Sequence, residues 1–292
     1  MLNRILYHFL VRPFSYLPFA VLFVFSKLIY YIIFYIFPYR RKVVRANLAL
    51  AFPMLSPARR RAAEKGFYLW FTQLVIEIMK CFSGNVRFLE KRCRFENPEC
   101  ILKALEEGRH VMMLTSHYGN WEWGSLAMGM KFPDRVMGVY LPMKSHFWNQ
   151  RFKKMRAQTG NHMVPAREVG LAMKTSPRPM IWCFAADQTP AGPARSPWLH
   201  FMGVPAPWID GPERLSQVHK TMVVYGHIRR VRRGSYEVRF VPFEGDIREP
   251  GAITRFAVKS LEDDLHKKPE HWLWSHRRWK HQADKFNRIR WI

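Results

Sequence analysis

Hydrophobic positions along the chain follow three different patterns. The first is a continuous apolar run from Pro13 to Pro38, PFSYLPFAVLFVFSKLIYYIIFYIFP, in which Lys27 is the one formal charge. Its centre, Leu17 to Phe37, is about 21 residues long, and ~20 helical residues cross a hydrocarbon core. A signal peptide has a shorter apolar region and a small-residue cleavage site, whereas this run ends Phe-Pro-Tyr-Arg-Arg-Lys. A buried core helix is the other alternative, and the aromatic density and basic flanks speak against it. The pattern therefore predicts an N-terminal membrane-anchor helix. Arg4 and Arg12 precede it, while Arg40, Arg41, Lys42 and Arg45 follow it. That bias places the C-terminal side in the cytoplasm, with the anchor either a single span or a tilted, in-plane segment of the inner leaflet.

The second pattern has helical spacing. Ser56-Pro57 reads as N-cap and first helical residue of a helix reaching about Cys81, with Phe67, Leu69, Trp70, Leu74, Val75, Ile78 and Met79 suiting one buried face. Further helices are predicted over 98–108, from about Trp121, over 147–159, 169–174, 213–219 and 254–266. The third pattern is the short apolar run of a buried strand: 110–116, 135–141, 163–164, 180–185, 222–229, 236–240 and a last candidate at 272–274. Residues 190–212, rich in Pro and Gly, read as a long loop. Strands alternating with helices predict an α/β fold, a mostly parallel or mixed central sheet flanked by helices. The expected division is an anchor with basic flanks over 1–45 and an α/β domain over 46–292.

Charge narrows the partners. Lys plus Arg number 47 against 22 Asp plus Glu, a formal +25 over 292 residues. Such a balance calls for an anionic counterpart: nucleic acid, an anionic membrane leaflet, or an acidic carrier or substrate. Beside a membrane anchor, the inner leaflet supplies one. Aromatic residues at 15% exclude disorder, and four scattered Cys exclude a disulfide scaffold. No GxSxG, HExxH, P-loop or GxGxxG pattern is present in the sequence, and no metal-ligand spacing.

The chemistry concentrates in Thr115-Ser-His-Tyr-Gly-Asn-Trp-Glu-Trp-Gly124. His117 leaves the end of a predicted buried strand, and Glu122 follows on the first turn of a helix. Reacting groups of α/β sheets collect at carboxyl ends of strands. A carboxylate that fixes the tautomer of an imidazole is the minimal machinery for activating a hydroxyl. This reading has Glu122 holding one ring nitrogen while the other takes a proton. A strand-to-helix turn with an incidental His, and a Glu favoured by the helix dipole, is the alternative.

His117-Tyr-Gly-Asn-Trp-Glu122 resembles the HX4D/E motif of glycerolipid-type acyltransferases, and more closely that of the bacterial lipid A biosynthesis acyltransferases. The likeness runs along nearly the whole chain. It includes Tyr39 to Leu48, Ala51-Phe-Pro53, Glu77, Pro142, Arg156, Gly160, Asp187-Gln188, Phe201-Met-Gly203, Gly211-Pro-Glu-Arg214 and Trp274-Ser-His-Arg-Arg-Trp-Lys280. Leu141 and Ser145 depart from it, in a block that faces substrate. The resemblance implies an O-acyltransferase of the inner membrane, its catalytic domain facing the cytoplasm. It would move a fatty acyl chain from a carrier-protein or coenzyme A thioester to a hydroxyl of a lipid A precursor. No metal or resident cofactor is expected. Another acceptor, an amino-acid lipid or a lysophospholipid, keeps the same chemistry. A tethered protein that only binds nucleic acid or anionic lipid leaves the His–carboxylate pair without a purpose, so no nucleic-acid partner is expected. Besides His117 and Glu122, Arg156 is implied as the oxyanion donor, with a solvated basic helix as its alternative. Backbone N–H groups at Asn120 and Trp121 are a second donor set. Arg167 reads as phosphate-binding or structural. Asp187, at a strand end, reads as a partner for Arg156 or another basic residue, or as part of a turn. His276 and Arg277, with Arg278, read as lining the site or as a basic tail. Met112, Met113, Met128, Met130, Trp121 and Trp123 read as an acyl channel or as core.

Overall fold

Alternate residues of the two central strands go to opposite cores. In a computed structural model describing residues 1–286 and 288–292, Met112 and Leu114 of strand β2 (Val111–Thr115) join Trp182 and Phe184 of β5 (Ile181–Ala185) on one face of a sheet. Val111, Met113, Ile181 and Cys183 line the other face. A strand apolar at every position is what a sheet covered on both sides requires.

Seven strands run in the order β1-β9-β8-β2-β5-β3-β4. They are β1 (Cys93–Glu96), β3 (Val136–Tyr140), β4 (His162–Pro165), β8 (Met222–Arg232) and β9 (Ser235–Pro242), with β2 and β5 between them. Every neighbouring pair is parallel except β8 with β9, a hairpin. The expected mixed α/β class is the observed one.

Helix α1 (Phe19–Tyr31) continues through a π-helical turn, Ile32–Ile36, and is followed by α2 (Arg41–Ala51) and α3 (Pro57–Lys80). Ser56 caps α3, its hydroxyl accepting from the Arg59 amide. The helices that follow α3 and matter for the site are α4 (Glu99–Glu106), α5 (Trp121–Lys131), α6 (His146–Ala157), α7 (Val169–Lys174), α8 (Gly211–His219) and α9 (Ala252–Lys267), with short helical segments besides at Leu2–Leu6, Arg12–Tyr16 and Leu89–Arg92.

Two expectations need correction, and one strand goes unpredicted. The region 190–212 is not all loop: Pro197–Phe201 (β6) and Val204–Pro207 (β7) form a hairpin, which β10 (Arg290–Trp291) extends to a three-stranded sheet. Its turn at Met202-Gly203 uses left-handed backbone at both residues, and the prolines sit where a small edge sheet tolerates them. The segment 272–274 makes no strand; Trp272 forms a lone bridge with Tyr118. Strand β1, four residues at the sheet edge, escapes notice because its sequence, Cys-Arg-Phe-Glu, is too short and polar to show a period.

Candidate active site

Strand register builds the centre of the site. β2 and β5 are parallel neighbours, and Thr115 is paired with Ala185. His117 and Asp187 each lie two residues beyond that pair, so both emerge at the same level of the sheet. The ring Nδ1 of His117 lies 2.7 Å from Asp187 Oδ1. The His117 backbone N–H donates to Asp187 Oδ2 at 3.1 Å, and Trp272 Nε1 donates to the same oxygen at 2.7 Å. Asp187 is buried. Hydrogen bonding therefore assigns the Nδ1–H tautomer and leaves the Nε2 lone pair outward, where the Gln188 amide stands 3.3 Å away. Trp121 meets the imidazole edge to face at 4.9 Å.

Burial pulls the His117 pKa down, but the Asp187 charge and hydrogen bond outweigh it and hold the ring above its ordinary value. Burial raises the Asp187 pKa, yet His117, Trp272 and the His117 amide bring the carboxyl below its usual range. The pair thus stabilises an imidazolium once a proton arrives at Nε2.

This corrects the partner expected for His117. Glu122 does not hold the ring. Its carboxylate takes a two-pronged contact from Arg156, Nε to Oε2 at 2.9 Å and Nη2 to Oε1 at 2.5 Å. Glu122 is nearly buried and Arg156 mostly so. The reason is helical geometry: the first turn of α5 directs Glu122 toward the last turn of α6, which carries Arg156. Glu122 reaches His117 through its charge, which raises the ring pKa, while Arg156 lowers it. Asp187 correspondingly serves His117, and its hydrogen bonds go to His117 and Trp272 rather than to Arg156. Two of the three side-chain N–H-bearing nitrogens of Arg156 are engaged by Glu122, leaving Nη1 outside the pair.

The turn joining β2 to α5 needs its glycine. Gly119 has φ +62°, and a Cβ there would stand 2.3 Å from the Ile228 carbonyl oxygen. Asn120 is fully buried and caps α5, its Oδ1 accepting from the Trp123 amide at 3.0 Å. Its Nδ2 donates to Glu77 Oε2 at 2.8 Å, and Tyr236 donates to that same oxygen at 2.7 Å. The Asn120 side chain is thus committed to the fold rather than to a substrate. Burial raises the Glu77 pKa against the pull of Tyr236, Arg230 and Asn120.

The C-terminal signature wraps the opposite side. The His271 carbonyl accepts from the Gly119 amide at 2.9 Å. His276 Nε2 accepts from the Thr189 amide at 3.1 Å. Burial and neighbouring cations, against the Asp187 charge, lower its pKa to about 4, so it is neutral. Arg277 is exposed. Arg278 is fully buried, its guanidinium 4.4 Å from the Trp208 ring centre. Arg167 is exposed and pairs with its neighbour Glu168 at 3.0 Å, outside the site. Met112, Met113, Met128 and Trp123 are core residues, with Met130 packed against them. Among the described residues no group of three or more His, Cys, Asp or Glu has metal-site geometry. Sequence reasoning missed Trp272 as a partner of Asp187; the Trp272-Leu-Trp274 run carried no signal beyond its apolarity.

Comparison with known proteins supplies the family. The family described as Bacterial lipid A biosynthesis acyltransferase matches residues 2–281. The chain is 26% identical over 248 residues to the lipid A biosynthesis palmitoleoyltransferase of Escherichia coli (strain K12), covering 82% of this chain and 79% of that protein. A lipid A biosynthesis acyltransferase of Shigella flexneri shows the same identity and coverage. A match running from the N-terminal turns through the Trp272–Lys280 clasp takes in every residue of the site just described, and the chain belongs to the bacterial lipid A biosynthesis acyltransferase family.

Proposed function

We propose that this acyltransferase moves a fatty acyl group from a carrier-protein or coenzyme A thioester to a hydroxyl of a lipid A precursor at the cytoplasmic face of the inner membrane. The observation that carries the reading is the His117–Asp187 pair at the carboxyl ends of two adjacent parallel strands, in a chain of this family. His117 Nε2 takes the acceptor hydroxyl proton as the oxygen attacks the thioester carbonyl. Asp187 stabilises the imidazolium that forms. The tetrahedral oxyanion needs a fixed donor; Arg156, anchored by Glu122, and the backbone N–H groups that open α5 supply candidates. Collapse breaks the C–S bond, and the leaving thiolate takes the proton back from His117. Every atom is accounted for without a resident cofactor. The +25 charge suits both an acidic carrier protein and the anionic leaflet.

The test is transfer by the purified full chain, with acyl carrier protein and coenzyme A thioesters offered separately and the lipid product weighed by mass spectrometry. His117→Ala is expected to lose at least ~10²-fold in rate while melting normally. Wild-type turnover by a folded His117→Ala protein removes the base from the mechanism. Acylation of a lysophospholipid or amino-acid lipid in preference to the lipid A precursor overturns the acceptor assignment.

A further inference from the structure

We propose that α1 with its π-helical extension lies in the plane of one membrane leaflet, as a face of the folded domain, and does not cross the bilayer. The proposal rests on the membrane attachment argued above and adds its geometry. By length and composition Phe19–Ile36 qualifies as a span: 18 residues rise about 27 Å, close to the ~30 Å of a hydrocarbon core. Both of its ends, however, are held by one helix of the globular domain. At the first end, Lys80 of α3 donates to the Leu17 carbonyl at 2.9 Å. Phe19 packs on Phe88 and Trp123, and Arg92 stands 4.2 Å above its ring. At the other end, Phe34 packs on Tyr68 of α3, and Arg41 stands 4.2 Å above the Phe34 ring and donates to the Phe34 carbonyl. Lys80 and Tyr68 are 12 residues apart on α3, about 18 Å. A crossing helix would carry one of these ends to the far side of the bilayer and break every contact made there. Trp123 is fully buried, so it cannot follow.

The two faces of the helix agree. Leu22, Phe23, Ser26, Tyr30 and Phe34 are buried against the domain. Val21, Val24, Leu28, Tyr31 and Tyr35 recur at steps of three and four and are each 40–70% exposed. That is one outward apolar stripe. Its occupant is lipid, because the charges around it are cationic. Arg12, Arg40, Lys42, Arg232 and Arg233 are exposed beyond its ends or edge, and Arg233 lies over the Phe23 ring at 4.7 Å. Such a rim suits an anionic headgroup layer. Lys27, exposed midway along the helix, would sit at the bilayer centre in a span, where a charged side chain is strongly disfavoured. In the plane of the leaflet it reaches the headgroups directly.

Two readouts on the full chain decide the geometry. Single cysteines at Arg4→Cys and Lys42→Cys, in a Cys100→Ser background whose other cysteines are buried, are exposed to an impermeant maleimide. In-plane attachment predicts that inverted inner-membrane vesicles label at both positions and intact spheroplasts at neither. Labelling of Arg4→Cys from the spheroplast exterior, with Lys42→Cys reached only from the cytoplasm, overturns the proposal in favour of a span. Nitroxides at Val21, Val24, Leu28, Tyr31 and Tyr35, in phosphatidylethanolamine–phosphatidylglycerol vesicles, are expected to report one shallow depth. A depth maximum at Leu28 overturns it, and so does spin coupling between copies without lipid contact, which assigns the stripe to a second chain. Loss of the wild-type protein from the membrane fraction in high salt overturns the apolar attachment itself, a result distinct from either topology.

Discussion

Asp187 spends each of its oxygens on a different task. Oδ1 faces the His117 ring, while Oδ2 is fixed by the Trp272 indole and the His117 amide. A carboxylate so held stabilises the imidazolium and keeps its pKa raised. If His117 acts as the base, the acid limb of kcat/KM marks that raised pKa, because activity requires the neutral ring. Asp187→Asn removes the charge, so the limb is expected to move to lower pH while the plateau rate drops by ~10² or more. Trp272→Phe removes one donor and keeps the ring; a smaller loss with an unchanged melting temperature is expected. Rate–pH profiles of the two variants check both outcomes. An acid limb in Asp187→Asn at or above the wild-type position contradicts the pairing. For stability the signs oppose. The contribution of His117 is present below its unfolded value near 6.5 and is lost as pH rises through the raised folded value. That of Asp187 is present above 3.8 and is lost as pH falls through the lowered one.

At the scale of elements, the site depends on how α3 grips the start of α5. Glu77 of α3 accepts from Asn120 and Tyr236 through one oxygen, and its carbonyl accepts from the Trp123 indole at 2.9 Å. Among the described residues the other carboxyl oxygen is buried without a hydrogen-bond partner. Its raised pKa makes the charged form unfavourable in the folded state, so this residue withdraws stability as pH rises above about 4.5, its unfolded value. Glu77→Gln keeps an acceptor for both donors and cannot ionise. It is expected to match or exceed wild-type stability at pH 8, with the pH dependence reduced. Glu77→Ala strands the Asn120 and Tyr236 donors at about 1–3 kcal/mol each. Chemical denaturation at pH 5 and pH 8 compares them, and a Glu77→Gln protein less stable than Glu77→Ala sinks the argument.

At the scale of the whole molecule, the apolar N-terminus is part of the core. Tyr30 and Phe34 join Phe67, Tyr68 and Trp70 in one buried cluster that continues to the central sheet. Phe34→Ala should therefore destabilise the entire chain by about 3–5 kcal/mol, seen as an earlier unfolding transition of the α/β domain in detergent. An unchanged transition would make the apolar N-terminal helix energetically independent. The same packing explains why α2 is tied across the molecule: Asn47 donates to the Trp274 and His276 carbonyls at 2.8 and 2.7 Å. The segment after the apolar N-terminal helix thus braces the clasp that holds Asp187.

What the sequence determined by itself is local. The apolar run before Pro38, the Ser56 cap, and strands β2 and β5 are set by neighbours within a few residues, and their ends are legible to within one or two positions. His117 at a strand end was legible too, as was the family likeness of its motif. Partnership was not. Glu122 stands five residues from His117 and reads as its companion, yet a helix turn gives it to Arg156 of α6, 34 residues away. Asp187, 70 residues from His117, becomes the companion because two strands lie side by side in parallel register. Strand order and helix facing follow from burial summed over the whole chain, a non-local quantity that no window of sequence contains. The same physics hides Trp272 behind Asp187 and folds α1 back along α3, so tertiary packing alone decides which acid serves the histidine.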